Sequence, residues 1–520
     1  MNNLKANRPA IVCRAPRSFL RHFILVVVCS QIGWAATPAP QRPAYWPTND
    51  WRSSTPEQQG IDSVKLAEAL DYIHQHDINI HSLLLVRNGY VVLDAYFYPY
   101  DSKSLHDVAS VTKSVTSTLI GIAIDEGKLK SVNQAVPELF AQSSIANQDA
   151  RKAKLTLESL LSMTSGLACQ PGENELTLHQ MMESKDWVHF MLDLPMAQEP
   201  GSKFVYCSGG MHLLSGVVSK ATGVTALDFA RRTLFEPLGI HEAVWPADSQ
   251  GVNHGWGDLH LHPRDLAKIG YLYLNHGMWD GKQIVSSDWI ADATRVHAQT
   301  GSDSDYGFGW WVRPKDKLYE AVGRGGQRIT VLPELNLVAV ETGGGFEPGD
   351  VGAILIKAFK SDRPLAENPA GVVRLQAALR ISTLPPASKP APRLPQLAAK
   401  VSGKTYEMGS NPIGLQKMSL MFTPHAEASV RLTFADGRIE IRPIGLDSVP
   451  RISPNGRYGL PVALKGLWQG ETTFVLDYDE VGNINDFRFA LNFHDNVVSV
   501  DLSERTADVT VKFTGTTKDR

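Results

Sequence analysis

The chain has 520 residues, too many for one ordinary domain, so two or three domains are expected. Its hydrophobic fraction of 43% and charged fraction of 20% exclude a disordered, collagen-like or coiled-coil protein. The 51 Lys and Arg residues against 54 Asp and Glu residues give a net charge of −3, so we expect no nucleic acid as a partner. Four cysteines are too few for a disulfide scaffold or an iron–sulfur protein.

Residues 1–36 have the pattern of a secretory signal peptide. Five basic residues and no acidic residue precede an apolar run at 23–28, and small residues follow at Gly33, Ala35 and Ala36. This run is too short to cross a membrane as a helix, and no later stretch is long enough, so no membrane span is expected after the peptide is removed. We expect a periplasmic or secreted protein. The alternative is a buried N-terminal strand, which the positive flank fits poorly.

Residues 45–362 combine strand and helix patterns. Residues 82–93 predict a β-hairpin with Asn88-Gly89 at its turn. Helical patterns, then strand-like segments, then a closing helix follow in chain order, at 115–126, 157–163, 263–277, 307–312, 321–323, 328–332, 337–342 and 351–359. Strands, helices and strands again predict an α/β fold, a sheet with a helical subdomain inserted at about 115–290.

The remaining chain has a different character. Five prolines between 385 and 395 predict an extended linker over 363–398 that ends the first domain. From 399 to 520, short segments of alternating polarity are separated by turns. They predict a small all-β domain, either a sandwich or a barrel.

Two common functional patterns are missing or incomplete. There is no Gly-x-Ser-x-Gly nucleophile elbow, which removes the main mark of the α/β-hydrolases. Three histidines at 254–262 lie near Asp258 and Asp265, but their spacing matches no metal site, and histidines before a helix are common. No metal is therefore expected.

The segment Ser110-Val111-Thr112-Lys113 carries the main chemical signal. It is the only Ser-x-x-Lys in the chain and begins a helical pattern, where Ser110 and Lys113 project from one face. A desolvated lysine amine can accept the serine proton, and a helix N-terminus favours negative charge near the serine. The alternative is a serine N-cap followed by a solvated lysine, because chance supplies about one such spacing in a chain of this length.

Two glycine-rich segments strengthen the catalytic interpretation. Tyr206 and Ser208 lie in one such loop, and a phenol beside a lysine can act as general base and acid. The run from Gly323 to Gln327 begins a candidate strand, where small residues let a substrate pair along the strand edge and a backbone N–H reach an oxyanion. The alternatives are a structural tyrosine in a turn and a tight turn or bulge.

In this order, the motifs resemble those of the penicillin-recognising serine hydrolases. The resemblance covers about residues 50–362 and rests on Ser110-x-x-Lys113, the Leu-Leu-Ser-Met-Thr-Ser-Gly-Leu segment at 160–167, Tyr206-x-Ser208 and Arg324-Gly325-Gly326. The superfamily includes class C β-lactamases, D-Ala-D-Ala peptidases, family VIII esterases and 6-aminohexanoate-dimer hydrolases. It implies a β-lactamase/transpeptidase-like sandwich, an antiparallel sheet flanked by helices, with an inserted all-α subdomain. It does not reach the C-terminal all-β domain.

The resemblance also implies a set of catalytic roles. Ser110 would be the nucleophile, Lys113 its activator, and Tyr206 the proton shuttle to the leaving group. The backbone N–H groups of Ser110 and Gln327 would form the oxyanion hole. An acyl-enzyme would form and be released by water, without a metal or cofactor.

Two departures from the class C pattern bear on the substrate. Class C β-lactamases usually carry Tyr-x-Asn and Lys-Thr-Gly, where this chain has Ser208 and Arg324-Gly325-Gly326. We expect these four residues to contact the substrate, with Arg324 offering positive charge to a carboxylate. The departures favour a small-molecule ester or small linear amide. The alternatives are a class C-type β-lactamase or D-Ala-D-Ala carboxypeptidase, and a non-catalytic penicillin-binding-like sensor.

Two cysteines remain after signal removal, Cys169 and Cys207. Cys207 is adjacent to Tyr206, and Cys169 follows the turn at 165–167. In an oxidising compartment they form either a disulfide that fixes the tyrosine loop or two small buried thiols, and the sequence leaves both alternatives open.

Overall fold

The computed structural model describes residues 43–518, apart from 173–174, 347–348, 424–426, 505 and 507–508. The predicted signal peptide at 1–36 lies outside the described residues. Residues Ala44–Arg520 form one compact unit. Within the described ranges, no helix combines the length and the apolar character that a membrane span requires.

The chain forms fourteen α-helices and twenty-one strands over these ranges. The helices are α1 (Ser63–Gln75), α2 (Val111–Asp125), α3 (Val136–Leu139), α4 (Leu157–Leu161), α5 (Leu176–Glu183), α6 (Trp187–Asp193), α7 (Ser208–Thr222), α8 (Ala226–Ala230), α9 (Glu236–Leu238), α10 (Pro263–Leu274), α11 (Ser287–Ala293), α12 (Gly349–Ala358), α13 (Pro369–Ser382) and α14 (Gln396–Val401). The first strands are β1 (Ile80–Arg87), β2 (Tyr90–Tyr96), β3 (His106–Asp107), β4 (His260–Leu261), β5 (Met278–Trp279), β6 (Lys282–Gln283), β7 (Asp305–Tyr306), β8 (Trp311–Arg313), β9 (Leu318–Gly323), β10 (Gln327–Leu332) and β11 (Leu337–Gly343). The later strands are β12 (Thr405–Met408), β13 (Leu415–Phe422), β14 (Glu427–Phe434), β15 (Ile439–Gly445), β16 (Arg451–Ser453), β17 (Val462–Gln469), β18 (Thr473–Glu480), β19 (Asp486–His494), β20 (Val497–Glu504) and β21 (Val509–Thr516).

A seven-stranded antiparallel sheet forms the centre of the first domain, in the order β2-β1-β11-β10-β9-β8-β7. Strand β1 is buried along its whole length because both of its faces are covered. Leu83 and Leu85 join the core cluster of α1, α12 and α13, whereas Leu84 and Val86 join the cluster of α2 and α10. The sheet is thus flanked by helices on both faces, and the predicted α/β fold is confirmed in this form.

One predicted strand of this sheet is interrupted. Residues 307–312 are not one strand, because a turn separates β7 from β8. Gly309 in this turn has a φ of 73°, and its carbonyl accepts a hydrogen bond from Ser114 Oγ at 2.6 Å. The turn therefore leaves the sheet to pack on α2, the helix that begins at the Ser-x-x-Lys motif.

The segment after α12 differs from the predicted extended linker. Helix α13 lies within it and packs on α1. Asn368 caps this helix by accepting a hydrogen bond from Gly371 N at 3.0 Å, and Pro369 occupies its first turn, where proline is compatible with a helix. Within the predicted linker, residues 363–368 and the proline-rich part, 383–395, lack helix and strand. The prediction was wrong for residues 369–382.

Strands β12–β21 form a β-barrel, which we call the barrel. Its sheet runs β15-β14-β13-β12-β21-β20-β19-β18-β17-β16, and a pairing of Gly445 on β15 with Lys465 on β17 closes it. Strands such as β14 alternate buried apolar and more exposed polar residues. The predicted C-terminal all-β domain is confirmed, and the closing pair decides for a barrel over a sandwich.

Candidate active site

Ser110 lies at the start of α2, directly after a residue with a strained backbone. Ala109 has a φ of 45°, in the left-handed region that residues with a side chain seldom adopt. The Asp107 carboxylate accepts a hydrogen bond from the Ala109 N–H at 2.8 Å and stabilises this conformation. Ser110 does not use its side chain to cap the helix, so its hydroxyl is directed to another partner.

That partner is Lys113, one turn along the helix. Lys113 Nζ donates hydrogen bonds to Ser110 Oγ at 2.6 Å and to the carbonyl oxygen of Trp256 at 2.9 Å. Only 1% of Lys113 is exposed. The alternative of a serine N-cap followed by a solvated lysine is therefore wrong, and the buried amine is held against the hydroxyl of Ser110.

Tyr206 lies in the loop before α7 and faces the same amine. Lys113 Nζ is 4.9 Å from the centroid of its ring, and the ring stacks on Trp311 with 6.1 Å between centroids. A disulfide joins Cys207 to Cys169, which is the first of the two alternatives that the sequence left open. The loop is thus fixed by a covalent bond directly beside the tyrosine.

The backbone beside the nucleophile belongs to Gly323. A Cβ atom at Gly323 would lie 3.0 Å from Ser110 N and 2.5 Å from Val108 O, so only glycine fits this approach. Gln327, predicted to supply an oxyanion-hole N–H, lies one strand further away, on β10 opposite Gly323. Its buried side-chain amide donates to Gly343 O at 2.6 Å and accepts from Gly343 N at 3.1 Å. The structure thus assigns Gln327 a role in fixing the sheet and places Gly323 at Ser110.

Two of the residues predicted to contact the substrate differ in their surroundings: Ser208 is buried, and Arg324 is hydrogen-bonded to other parts of the protein. Ser208 is 2% exposed, and its Oγ is buried without a hydrogen-bond partner among the described residues. This hydroxyl is closed off from solvent, and its contact with a substrate stays a prediction. Arg324 is exposed, but its guanidinium donates to Thr506 Oγ1 at 2.7 Å and to Asn485 Oδ1 at 2.9 Å. Both acceptors belong to loops of the barrel, so its contact with a substrate carboxylate stays a prediction.

Gly325 and Gly326 form the turn between β9 and β10. Their φ angles are 83° and 93°, which glycine adopts without strain. A Cβ atom would lie 2.5 Å from Ile484 Cγ2 at Gly325 and 2.4 Å from a ring carbon of Phe346 at Gly326. Their small size serves packing against protein, which differs from the substrate approach predicted for them.

Buried titratable groups lie behind the nucleophile. Burial, together with the charge of Asp258, raises the pKa of Asp107 to about 7. Burial opposes ionisation of Asp258 too, but the hydrogen bond with His254 Nδ1 at 2.7 Å brings the pKa of this carboxyl below its usual value. Burial also lowers the pKa of His260 to about 4, so its imidazole is neutral at neutral pH. Among the residues that the structure describes, no three His, Cys, Asp or Glu side chains form a group able to hold a metal ion.

The sequence gives little signal for three contributors to the site. Trp256 acts through its backbone carbonyl, which any residue type would supply. Gly323 acts by lacking a side chain at a close approach that only the fold defines. Asp107 has one usable signal, its position three residues before Ser110, where a carboxylate can bind the backbone of the intervening turn.

These groups form an activated serine at a helix start. Ser110 Oγ, Lys113 Nζ and the Tyr206 ring meet where α2, the loop before α7 and the end of β9 come together. A hydroxyl within hydrogen-bond reach of a buried amine, with a phenol beside that amine, can attack a carbonyl carbon and pass its proton on. The partial positive charge of the helix N-terminus stabilises negative charge at this point.

A comparison with known protein families matches residues 66–350 to the Beta-lactamase family. The chain belongs to this family. It is similar to the 6-aminohexanoate-dimer hydrolase of Paenarthrobacter ureafaciens, with 22% identity over 315 residues that cover 55% of this chain and 79% of that protein. It is also similar to a putative D-alanyl-D-alanine carboxypeptidase of Salmonella schwarzengrund, with 22% identity over 341 residues, 52% of this chain and 78% of that protein. The solved structure of a family VIII carboxylesterase superposes with a TM-score of 0.47 at 16% identity, over 64% of this chain and 98% of that chain.

Membership of the β-lactamase family confirms the resemblance drawn from the motifs. The protein is a serine hydrolase of this family, and the relatives it matches include proteins named as an amide hydrolase, an esterase, a carboxypeptidase and penicillin-binding proteins. The family match ends at residue 350, before the barrel begins.

Proposed function

We propose that the protein is an exported hydrolase that cleaves carboxylic esters or small linear amides through an acyl-enzyme on Ser110. The observation that carries this proposal is the buried Lys113 amine, 2.6 Å from Ser110 Oγ and beneath the Tyr206 ring. Linear substrates are favoured because Ser208 and Arg324-Gly325-Gly326 stand where class C β-lactamases carry the Asn of Tyr-x-Asn and Lys-Thr-Gly. The relative named 6-aminohexanoate-dimer hydrolase supports the same choice.

The reaction needs one proton path through three side chains. Ser110 Oγ attacks the substrate carbonyl carbon while its proton passes to the Lys113 amine. The tetrahedral intermediate collapses as the C–O or C–N bond breaks, and the Tyr206 hydroxyl protonates the departing oxygen or nitrogen. Tyr206 regains a proton from the Lys113 ammonium. Water then attacks the acyl-enzyme by the reverse path and releases the acid.

The oxyanion needs two N–H donors beside the carbonyl. Ser110 supplies the first from the start of α2. We place the second at the backbone N–H of Arg324, because it follows Gly323, the residue whose backbone approaches Ser110 N. This replaces the predicted donor Gln327, which lies one strand further away.

Export and domain organisation complete the proposal. The signal-peptide pattern of residues 1–36 supports export, and a disulfide at Cys169 and Cys207 is typical of an oxidising compartment. We propose a hydrolase domain over about 45–362, with helices α3–α9 within its inserted helical subdomain, and the barrel as a separate C-terminal domain.

Turnover of 4-nitrophenyl acetate, 4-nitrophenyl butyrate and nitrocefin tests this function, with Ser110→Ala as the deciding variant. We expect ester turnover in the wild type and a loss of at least about 10³-fold in kcat/KM in Ser110→Ala. Ser117→Ala is the matched control, because Ser117 Oγ lies buried on the same helix without a hydrogen-bond partner among the described residues. We expect this control to keep its activity.

Two outcomes would change the proposal. Ester turnover that survives Ser110→Ala would refute the acyl-enzyme on this residue. Nitrocefin turnover faster than that of both esters would instead favour a β-lactamase, the candidate that the carboxypeptidase and penicillin-binding relatives keep open.

A further inference from the structure

The barrel contributes to the wall of the cleft and is not a remote appendage. The Asp107 N–H donates a hydrogen bond to Gly482 O at 2.6 Å, in the loop between β18 and β19. From the same loop Asn485 binds Arg324, and Thr506 binds it from the connection between β20 and β21. Two loops of the barrel thus hold the segment that leads to Ser110 and the side chain of Arg324, the residue that follows Gly323.

A third barrel loop, between β16 and β17, lies against the same segment. Its Tyr458 has a φ of 57°, and the ring contacts His260 edge-on with 5.4 Å between centroids. His260 is on β4 and pairs with Asp107 on β3, three residues before Ser110. The loop is therefore at the edge of the chain segment that positions the nucleophile. The left-handed backbone of a tyrosine is a conformation that the surrounding packing must maintain.

Arg457 at the tip of this loop carries a positive charge that has no ion-pair partner within the described part of the chain. It is exposed, and its guanidinium donates to the Tyr458 hydroxyl at 2.9 Å and lies 4.8 Å from the centre of that ring. Among the described residues, no carboxylate lies within ion-pair distance of it. Its charge nonetheless acts on the Asp107 and Asp258 carboxyls, so it is close to the site.

The neighbouring carboxylates already have donors of their own. Asp258 binds His254 at 2.7 Å, Asp107 binds the Ala109 N–H at 2.8 Å, and Glu480 binds Asn483 Nδ2 at 2.6 Å. The charges of Glu480 and Asp258 act on Arg457 at longer range, but among the described residues neither carboxylate lies within ion-pair distance of its guanidinium. An anionic group on the substrate would complement it, whereas an ammonium group would meet carboxylates that are already engaged.

We propose that Arg457 is a specificity-determining residue that binds a carboxylate carried by the ester or amide substrate. A planar guanidinium offers two parallel N–H donors, the geometry that a carboxylate accepts. Arg324, for which the sequence predicts this task, is held by Asn485 and Thr506. This inference rests on the proposed function and narrows its substrate class to anionic esters or amides that reach from Ser110 to the barrel.

Two pairs of esters test the proposal, because the carboxylate can lie on either side of the scissile bond. Mono-4-nitrophenyl adipate is compared with 4-nitrophenyl hexanoate, and 4-acetoxybenzoate with its methyl ester. We expect the wild type to prefer the charged member of at least one pair. In Arg457→Ala this preference should fall about tenfold or more, mainly through KM, while the neutral esters stay within about twofold.

Matched variants separate recognition from structure. Arg457→Lys keeps the positive charge but lacks the two parallel N–H donors of a guanidinium, so it should recover part of the preference for the charged ester. Arg431→Ala removes another exposed arginine of the barrel, on β14, and should leave the preference unchanged. A thermal midpoint in Arg457→Ala equal to that of the wild type would show that the barrel remains folded.

A binding measurement makes the proposal independent of turnover. Calorimetric titration of adipate into Ser110→Ala and into Ser110→Ala/Arg457→Ala should show affinity at least about tenfold weaker in the double variant. Equal affinities, or no binding to either, would overturn the carboxylate site, as would a wild type without preference in both ester pairs. Turnover that does not depend on Ser110 would instead be a failure of the proposed function.

Discussion

The two walls of the cleft are built in opposite ways. The nucleophile wall consists of Ser110 and Lys113 on α2, and its key contact joins residues three apart through a buried amine. The turn wall consists of Arg324 and the barrel residues that hold it, Asn485 and Thr506. Its contacts join residues 161 and 182 positions apart through exposed side chains.

This difference assigns different tasks to the two walls. A buried hydrogen bond contributes more than an exposed one, because water does not compete for its partners. The nucleophile wall therefore holds reacting atoms in a fixed geometry, and changes in it should lower kcat. The turn wall holds a more adjustable surface between two domains, and changes in it should act on KM.

Substitution of the proposed proton shuttle should have the largest effect among the remaining variants. Tyr206→Phe keeps the ring that stacks on Trp311 and removes only the hydroxyl, so we expect kcat to fall about 10²- to 10⁴-fold with little change in KM. Steady-state kinetics on 4-nitrophenyl butyrate measures this. Tyr306→Phe is the control, a neighbouring buried tyrosine outside the proton path. An unchanged kcat in Tyr206→Phe would remove the residue from the mechanism.

Removal of the disulfide should have the next largest effect, on stability more than on chemistry. The bond closes a chain segment with a sequence separation of 38, so replacing Cys169 and Cys207 with Ser should cost about 2–4 kcal/mol of unfolding free energy. The loss in kcat should be smaller than in Tyr206→Phe, because Val205 N also binds Met163 O at 2.8 Å and anchors the loop.

Denaturant unfolding with and without a reducing agent measures this effect. The reduced wild type should match the double variant, which serves as its control. Two reactive thiols in denatured, unreduced protein would show that the bond does not form, and the stability difference should then vanish.

Asp107 should make the stability of the protein depend on pH. Burial raises its pKa from 3.8 to about 7 in the folded protein, so the folded state holds this proton more tightly than the unfolded chain. The wild type should therefore lose stability through this group as the pH rises from about 4 to about 7. Asp107→Asn keeps an oxygen for the Ala109 N–H but does not titrate.

Thermal midpoints of the wild type and Asp107→Asn between pH 4 and 9 test this sign. The midpoint of Asp107→Asn, relative to the wild type, should rise up to about pH 7 and stay level above it. The difference reports Asp107 together with its interaction with Asp258, since both proteins share the other titrating groups. A difference that is constant between pH 4 and 7 would contradict a raised pKa.

Sequence could predict the nucleophile wall because its contacts are local. Helical periodicity alone brings Ser110 and Lys113 together, and the order of the later motifs points to Tyr206. The barrel was likewise foreseeable from alternating strands, although its closure through Gly445 and Lys465 depends on a single pairing that no local pattern specifies.

The turn wall could not be predicted in the same way. Which residue of the 323–327 run faces the nucleophile depends on the hairpin register, and that register pairs Gly323 with Gln327. The partners of Arg324 come from barrel loops far away in the chain, and their positions follow only from how the two domains pack. Helix α13 was missed for a different reason, since neighbouring prolines obscured a helix whose own proline is at its first turn.

The smallest predicted effect concerns the turn wall itself. Asn485→Ala removes one of the two acceptors of the Arg324 guanidinium, and the exposed contact should contribute less than about 1 kcal/mol. We expect kcat to stay within about twofold and KM to rise by no more than a few-fold.

A double-mutant cycle of Asn485→Ala with Arg324→Ala measures the coupling directly, with Arg431→Ala in place of Asn485→Ala as the uncoupled control. A coupling near zero would mean that Asn485 does not hold Arg324 in solution. A coupling of about 3 kcal/mol would make the turn wall as firmly held as a buried contact and would remove the contrast between the two walls.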